Sequence, residues 1–333
     1  GPYQLKNWNG TGNTWKETKN TTYWNAKNVH IDTLNGQVVK DSQTAMNLYQ
    51  SKKLDIAALQ GEQAAQAKSM SDFKGLKQSA TFYLELNEKK DPIFKNTKIR
   101  QAISMSIDRE AYIKKVLNDA SIAANNVTPE GLFEKNGQDF SKTASKAESS
   151  AVKYDPAKAK ELWTEGLKEV GQSAPTLELL TDDTTNAKRS AEYFQSTLQQ
   201  NLPGLKVTIA TVPFKTRLSR SQNGQFDMVI SAWSADFPDA ISFLDLFTSD
   251  NSYNDGKWSN AEYDALIKQS KTTDATNATA RWNTLLKAQE LLTKEQGVVP
   301  LYQRVQTTLQ RKTITGLNYN PTNSYNFVNA KVK

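Results

Sequence analysis

No cysteine occurs among the 333 residues, and His30 is the single histidine. The first absence excludes disulfides, thiolate zinc sites, iron–sulfur clusters and cysteine nucleophiles together. The second excludes metal centres built on several imidazoles and makes a histidine-based triad a poor reading. His30 lies in a polar, alternating segment, where a surface imidazole is the simpler interpretation. No apolar run approaches the roughly 18 to 20 residues that span a bilayer, and the residues from Gly1 onward do not read as a secretion signal. Nucleophile-elbow, P-loop and dinucleotide glycine motifs are missing too. Bases exceed acids by 42 to 35, a net charge of +7. The Lys-Lys pairs at 52–53, 89–90 and 114–115 are each diluted by acids, so nucleic acid is not an expected partner. Asp182-Asp183 stands before a helical segment and reads as cap and dipole partner. We assign no catalytic residue, no metal ligand and no cofactor.

What is present is a globular composition, 37% hydrophobic and 23% charged, of a length that suggests about two domains. Residues 1–40 read as short strands and turns, with alternation over Gly1–Trp8 and again over Val29–Asp32. A helix over Asp41–Tyr49 and a strand at Leu54–Ile56 complete a strand–helix–strand unit, for which a parallel crossover is expected. Thr81–Leu86 alternates as a strand. Apolar residues from Ile99 to Leu117 form one helical stripe. The Ser/Lys/Ala-rich stretch Asn136–Lys153 reads as a surface excursion. Asp155-Pro156 opens a helix that Gly171 closes. Strands follow at 176–180, 206–209 and 226–230, with helices at 188–200 and 280–295. Ser259–Glu262 reads as a capping box, and Val298–Tyr302 as a last strand. The alternation predicts an α/β domain with mainly parallel pairing.

One segment stands out. The apolar strand Phe226–Ile230 leads into Ser231-Ala232-Trp233-Ser234-Ala235-Asp236-Phe237-Pro238-Asp239. Ligands of open α/β sheets bind beyond the carboxyl ends of strands. Trp233 supplies an apolar wall there, Asp236 a charge for a cation, and Ser234 and Ala235 leave room for close backbone approach. A core tryptophan with Asp236 capping the next helix fits the same residues. The residues alone leave these two readings level.

From here the sequence resembles the solute-binding proteins of oligopeptide ABC importers, extracellular solute-binding protein family 5. The resemblance runs in order along the chain: Gly1-Pro2-Tyr3 with Asn20 and Tyr23-Trp24, then Phe82–Asn87, Pro92-Ile93-Phe94, Ile99–Ile103 and Ile107-Asp108-Arg109. Tyr154-Asp155-Pro156 with Ala159-Lys160, Gly224–Asp239, Glu262-Tyr263-Asp264 and Val299–Tyr302 complete it. Each match is weak alone, and the ordered set is specific.

The resemblance implies an α/β, periplasmic-binding-protein-like (class II) two-lobe architecture. Residues 1–108 would form a partial lobe I, 109–305 lobe II, and 306–333 a return segment to lobe I. The portion that family members carry before Gly-Pro-Tyr, with its signal and often a lipid-anchoring cysteine, would lie upstream. The implied function is non-enzymatic: binding of oligopeptides outside the cytoplasm, as a cell-surface lipoprotein or periplasmic protein, for delivery to an ABC permease. The chain would act as a monomer. In peptide-binding members the acid matching Asp236 pairs with the peptide α-amino group, a charge-assisted bond that fixes register. Trp233, Ser234 and Ala235 match the strand that bonds the peptide main chain, and Phe214 matches a pocket-lining aromatic. Asn87 and Tyr302 match positions near the lobe crossover. Ile230 departs from members that carry an arginine for the peptide carboxylate, so a fixed short peptide length is not implied. A signalling peptide, a nickel complex or an oligosaccharide is the alternative solute, although Trp163, Trp258 and Trp282 lie on helix faces or loops and not where a sugar platform would be.

Overall fold

A computed structural model describes residues 1–6, 8–146, 150–322 and 324–333. In chain order the elements are β1 (Tyr3–Lys6), β2 (Thr14–Lys19), β3 (Thr33–Gln37), α1 (Ser42–Gln50), β4 (Ile56–Leu59), α2 (Gly61–Ala67) and β5 (Phe73–Leu86). There follow α3 (Thr97–Met105), α4 (Arg109–Tyr112), β6 (Ile122–Ala123), the hairpin of β7 (Glu134–Lys135) and β8 (Gln138–Asp139), α5 (Phe140–Lys146) and α6 (Pro156–Val170). The rest comprises β9 (Thr176–Asp182), α7 (Thr185–Asn201), β10 (Lys206–Val212), α8 (Phe214–Gln222), β11 (Met228–Ser234), α9 (Ile241–Leu244), α10 (Ala261–Lys271), α11 (Ala278–Glu295), β12 (Val299–Gln310) and short C-terminal strands. The chain divides into two compact units, residues 1–78 with 118–120 and 305–333, and residues 79–117 with 121–304.

In the first unit β1, β2 and β3 form an antiparallel sheet. Trp15 pairs with Gly36, and its indole lies where a Cβ on that glycine would stand, so the small residue is required for the ring to lie flat. Asp41 caps α1 by accepting from the Thr44 amide at 2.7 Å. The helix buries Ala45, Met46 and Tyr49 against Ala57, Leu59 and Leu309. The expected parallel crossover from the strand before α1 to the strand after it is absent. β3 belongs to the three-stranded sheet, and β4 runs antiparallel to the end of β12, with Leu59 opposite Thr307. The alternation at Val29–Asp32 precedes the strand; the paired residues are Thr33–Gln37.

In the second unit β9 and β10 pair in parallel from Thr176 opposite Lys206 to Asp182 opposite Val212, with α7 as crossover. β11 continues this parallel set beside β9. Beyond it the sheet is mixed, because β5 runs against β11 and β12 runs against β6. The mainly parallel sheet predicted from element order therefore extends over three strands only. One sheet face is covered by Ile99, Ile103, Trp163, Phe194 and Leu198; the other meets Phe243, Phe247, Tyr263, Trp282 and Leu285.

Local signals fold as the sequence predicts where they are self-contained. Asp155 accepts from the Lys158 amide at 2.9 Å, Pro156 opens α6, and Gly171 ends it at φ 66°. The stripe from Ile99 to Leu117 is broken at Ser106–Asp108, where Asp108 caps a second helix. α10 is capped by Asn260 instead of Ser259, whose hydroxyl pairs with Ser249. The predicted excursion over Asn136–Lys153 is instead a hairpin followed by a packed helix. Phe140 is fully buried edge-on to Trp282, and Ala151 and Val152 are buried as well; one aromatic and a few small residues suffice. Residues 147–149 of that stretch lie outside the described residues.

Arg109 ties these pieces together. Its buried guanidinium donates to the carbonyls of Pro300 (2.7 Å), Val152 (2.9 Å) and Ser104 (3.2 Å) and to the Ser104 hydroxyl (2.9 Å). Burial lowers its pKa to about 10, so it stays cationic at neutral pH. Arg109→Met leaves those carbonyls unsatisfied and is expected to destabilise the unit by about 3 kcal/mol or more. Urea unfolding followed by tryptophan fluorescence measures this; an unchanged midpoint would contradict the role.

Candidate functional site

The antiparallel register of β11 on β5 fixes which side chains share a face. Val229, Ser231 and Trp233 lie opposite Glu85, Tyr83 and Thr81, while Ile230, Ala232 and Ser234 lie opposite Leu84, Phe82 and Ala80. Ile230 and Phe82 pack on the cluster beneath α3, α6 and α7; Trp233 packs on the opposite one. The pairing ends where the Ala235 amide donates to the Ser79 carbonyl at 2.8 Å.

The other edge of β11 is different. β9 pairs with it only at Met228 and Val229. Among the described residues, the edge from Ile230 to Ser234 has no strand beside it, and these five residues are half-buried. An open strand edge is a template for another extended chain.

The two acids after β11 separate by role. Asp239 accepts both guanidinium nitrogens of Arg281, at 2.7 and 3.0 Å, and also the Ile241 amide at 2.9 Å, which starts α9. Asp236 does neither. Its amide donates to the Ser242 hydroxyl at 2.9 Å, while its carboxylate is exposed and has no partner among the described residues. The capping work that the sequence left open to Asp236 thus belongs to Asp239.

Around them, Trp233 is half-buried and meets Tyr253 at 4.9 Å between ring centroids, at 62°. The Trp233 indole N–H and the Ser234 and Thr81 hydroxyls are shielded from solvent without a hydrogen-bond partner among the described residues. Ala235 is buried. Phe214, the first residue of α8, is 55% exposed, with the Arg217 guanidinium 5.1 Å from its ring centre. Tyr253 and Phe237 are also about half exposed, and sequence reasoning missed both. Their signal was an aromatic residue inside a polar loop.

Asn87 and Tyr302 lie elsewhere. Asn87 follows the end of β5, seven residues beyond Ala80, the partner of Ser234, which is about 23 Å along the strand at roughly 3.3 Å per residue. Its amide donates to Gly224 O (3.0 Å) and Phe226 O (2.9 Å), and its oxygen accepts from the Lys89 and Lys90 amides. Tyr302 is buried, stacked on Phe82 at 4.5 Å and 8°. Trp163, Trp258 and Trp282 are core residues. Among the described residues no cluster of three metal-ligating side chains exists, and no helix is long and apolar enough to cross a membrane.

A model of the bacterial extracellular solute-binding proteins, family 5 (middle), matches residues 1–255. The chain belongs to this family. It is 35% identical to the dipeptide-binding protein of Lactococcus lactis subsp. cremoris (strain MG1363), over 100% of this chain and 62% of the relative. Listeria monocytogenes OppA bound to peptide superposes with a TM-score of 0.92 at 38% identity, covering 100% of this chain and 64% of that one. The substrate-binding domain of an oligopeptide ABC transporter from Bacillus anthracis str. Ames gives 0.93 at 34%, covering 100% and 65%. The chain thus spans less than two thirds of the length of these family 5 relatives. Its fold is the α/β, periplasmic-binding-protein-like architecture, in part.

Beneath the Trp233 face sits a buried acid. Glu85 accepts from the Gly256 amide at 3.0 Å, which docks the loop carrying Tyr253. Burial, reinforced by Asp255, pushes its pKa up to about 8 against the pull of the Gly256 amide, Arg217 and Ser231. Burial also raises Asp255 to about 6. Between pH 4.5 and 8 the folded protein keeps a proton on Glu85 that the unfolded chain releases. Stability therefore falls as pH rises through that window and levels off above it. Glu85→Gln, which stays neutral, is expected to flatten the decline; urea midpoints at pH 5, 6.5 and 8 test this, and an unaltered slope would contradict it.

Proposed function

We propose that this chain carries the peptide-contacting edge of an extracytoplasmic, non-enzymatic solute-binding protein that takes extended peptides and passes them to an ABC permease. The observation that carries this reading is the open edge of β11 from Ile230 to Ser234, ending in the uncompensated carboxylate of Asp236. A peptide added there gains main-chain hydrogen bonds that ignore its side chains, while Asp236 accepts its α-ammonium and sets the register. Trp233, Ser234 and Ala235 form the edge, and Phe214 offers an exposed ring to a peptide side chain. Asn87 and Tyr302 act on the strands behind it, as a loop clamp and a core stack. Catalysis forms no part of the proposal, and the relatives named above are binding proteins.

The lobe assignment belongs to the same proposal. Residues 109–304, apart from 118–120, fall in one compact unit, which supports reading them as one lobe. Residues 79–108 share that unit and extend the lobe toward the N-terminus. The family description as extracellular supports a protein that works outside the cytoplasm, periplasmic or held by a lipid anchor.

The test is calorimetric titration of the longest natural form of the protein with one peptide, free and N-acetylated. Acetylation is expected to weaken binding at least tenfold, and Asp236→Asn to remove most of that difference. Equal affinities for the two peptides in the unmutated protein would refute the role of Asp236.

A further inference from the structure

A second concavity lies at the other end of the β5–β11 pair. Trp233–Asp236 stand where Ala80 opens the pairing, whereas Glu88 and Lys89 follow the last paired residue, Leu86. A cavity of about 580 Å³ opens beside them, within the size range of small-ligand sites. Its buried floor is Arg100, which donates to Glu88 (3.1 Å), to Glu295 (3.2 Å) and to the Phe94 carbonyl (2.7 Å). That cation is therefore compensated from within. Burial also pushes the Glu88 carboxyl up to about 7, against Arg100 and Lys95, so the floor carries less negative charge at neutral pH than two free carboxylates would.

The rim is compensated only at longer range: Lys95 acts on Glu88 and Lys257 on Asp255, without a close ion pair. Lys89, Lys95 and Lys257 line the cavity, are exposed, and form no ion pair among the described residues. They come from two separate segments, the β5–α3 loop and the loop before α10. Lys257 is held at φ 58°, a left-handed conformation that glycine or asparagine adopts at lower cost. A lysine stands there although the backbone conformation favours glycine or asparagine. Trp258 forms a buried wall, and the first turns of α3 and α10 contribute Thr97 and Asn260 to the lining. Four bases against two acids in the lining leave the concavity net positive. The charge balance is met by a compact anion able to accept from several ammonium groups at once.

We propose that this cavity binds a compact tetrahedral oxyanion of two negative charges, a phosphate or phosphate monoester, at a site independent of the β11 edge. A tetrahedral oxygen set can accept from donors arriving from both loops, which a single planar carboxylate does less well. Titration calorimetry of the whole chain at pH 7.5 tests this with sodium phosphate, glycerol 3-phosphate and sodium chloride at matched ionic strength. Saturable one-to-one binding of at least one phosphate species is expected, weakened tenfold or more in a Lys95→Gln/Lys257→Gln variant and unchanged in Asp236→Asn. Tighter binding of the ester identifies an esterified group as the occupant; equal or weaker binding identifies the free ion. Heats equal to those with chloride, or a lysine variant that binds phosphate as well as the parent, would overturn the proposal. Circular dichroism of the variant guards against loss of fold.

Discussion

The antiparallel pairing of β11 with β5 is the constraint on which the functional architecture of the second unit depends. Its register runs from Met228 opposite Leu86 to Ser234 opposite Ala80. A slip of β11 by one residue would exchange its faces, turning Trp233 into the cluster that now holds Ile230. Several side chains pin it. Asn87 bonds four main-chain groups at one end, and the Ala235 amide closes the ladder on Ser79 at the other. Gly256 fits only because it lacks a Cβ, which would stand 2.8 Å from the Leu86 carbonyl oxygen.

With the register fixed, chemistry divides between the two ends of the pair. One end presents an open strand edge, exposed aromatic rings and a free carboxylate. These suit a ligand recognised through its backbone and its amino terminus, whatever its side chains. The other end is a net-cationic concavity whose central arginine is held in close ion pairs, while its lysines form none among the described residues. Backbone recognition and a single terminal charge are economical for a receptor that accepts many peptides, because neither depends on sequence. A half-buried Trp233 beside Tyr253 adds apolar area.

What could be read from the residues was what they decide locally. The α6 boundaries follow from Asp155, Pro156 and Gly171 because a helix end is settled within four residues. Partner choice is not local, and there the reading failed. The strand after α1 pairs with residues near position 308, far along the chain, so the expected crossover did not form. The separation of Asp236 from Asp239 was invisible for the same reason, since the arginine that claims Asp239 lies 42 residues away. Glu85 alternates with apolar neighbours, and nothing local tells that a second layer covers its face and buries it. The run Trp233–Asp236 reads as a strand end because sequence neighbours stay neighbours there. The surroundings of Asn87 and Tyr302 are not legible in the same way, because they depend on strands joined only by the fold.

The central claim is geometric: a peptide lies along β11 with its amino terminus at Asp236. A crystal structure of the peptide complex of the longest natural form tests it most directly. The account predicts main-chain hydrogen bonds between the peptide and residues Ile230–Ser234, with the peptide ammonium about 3 Å from an Asp236 carboxylate oxygen. A peptide bound with its ammonium elsewhere, leaving the β11 edge solvated, would contradict it.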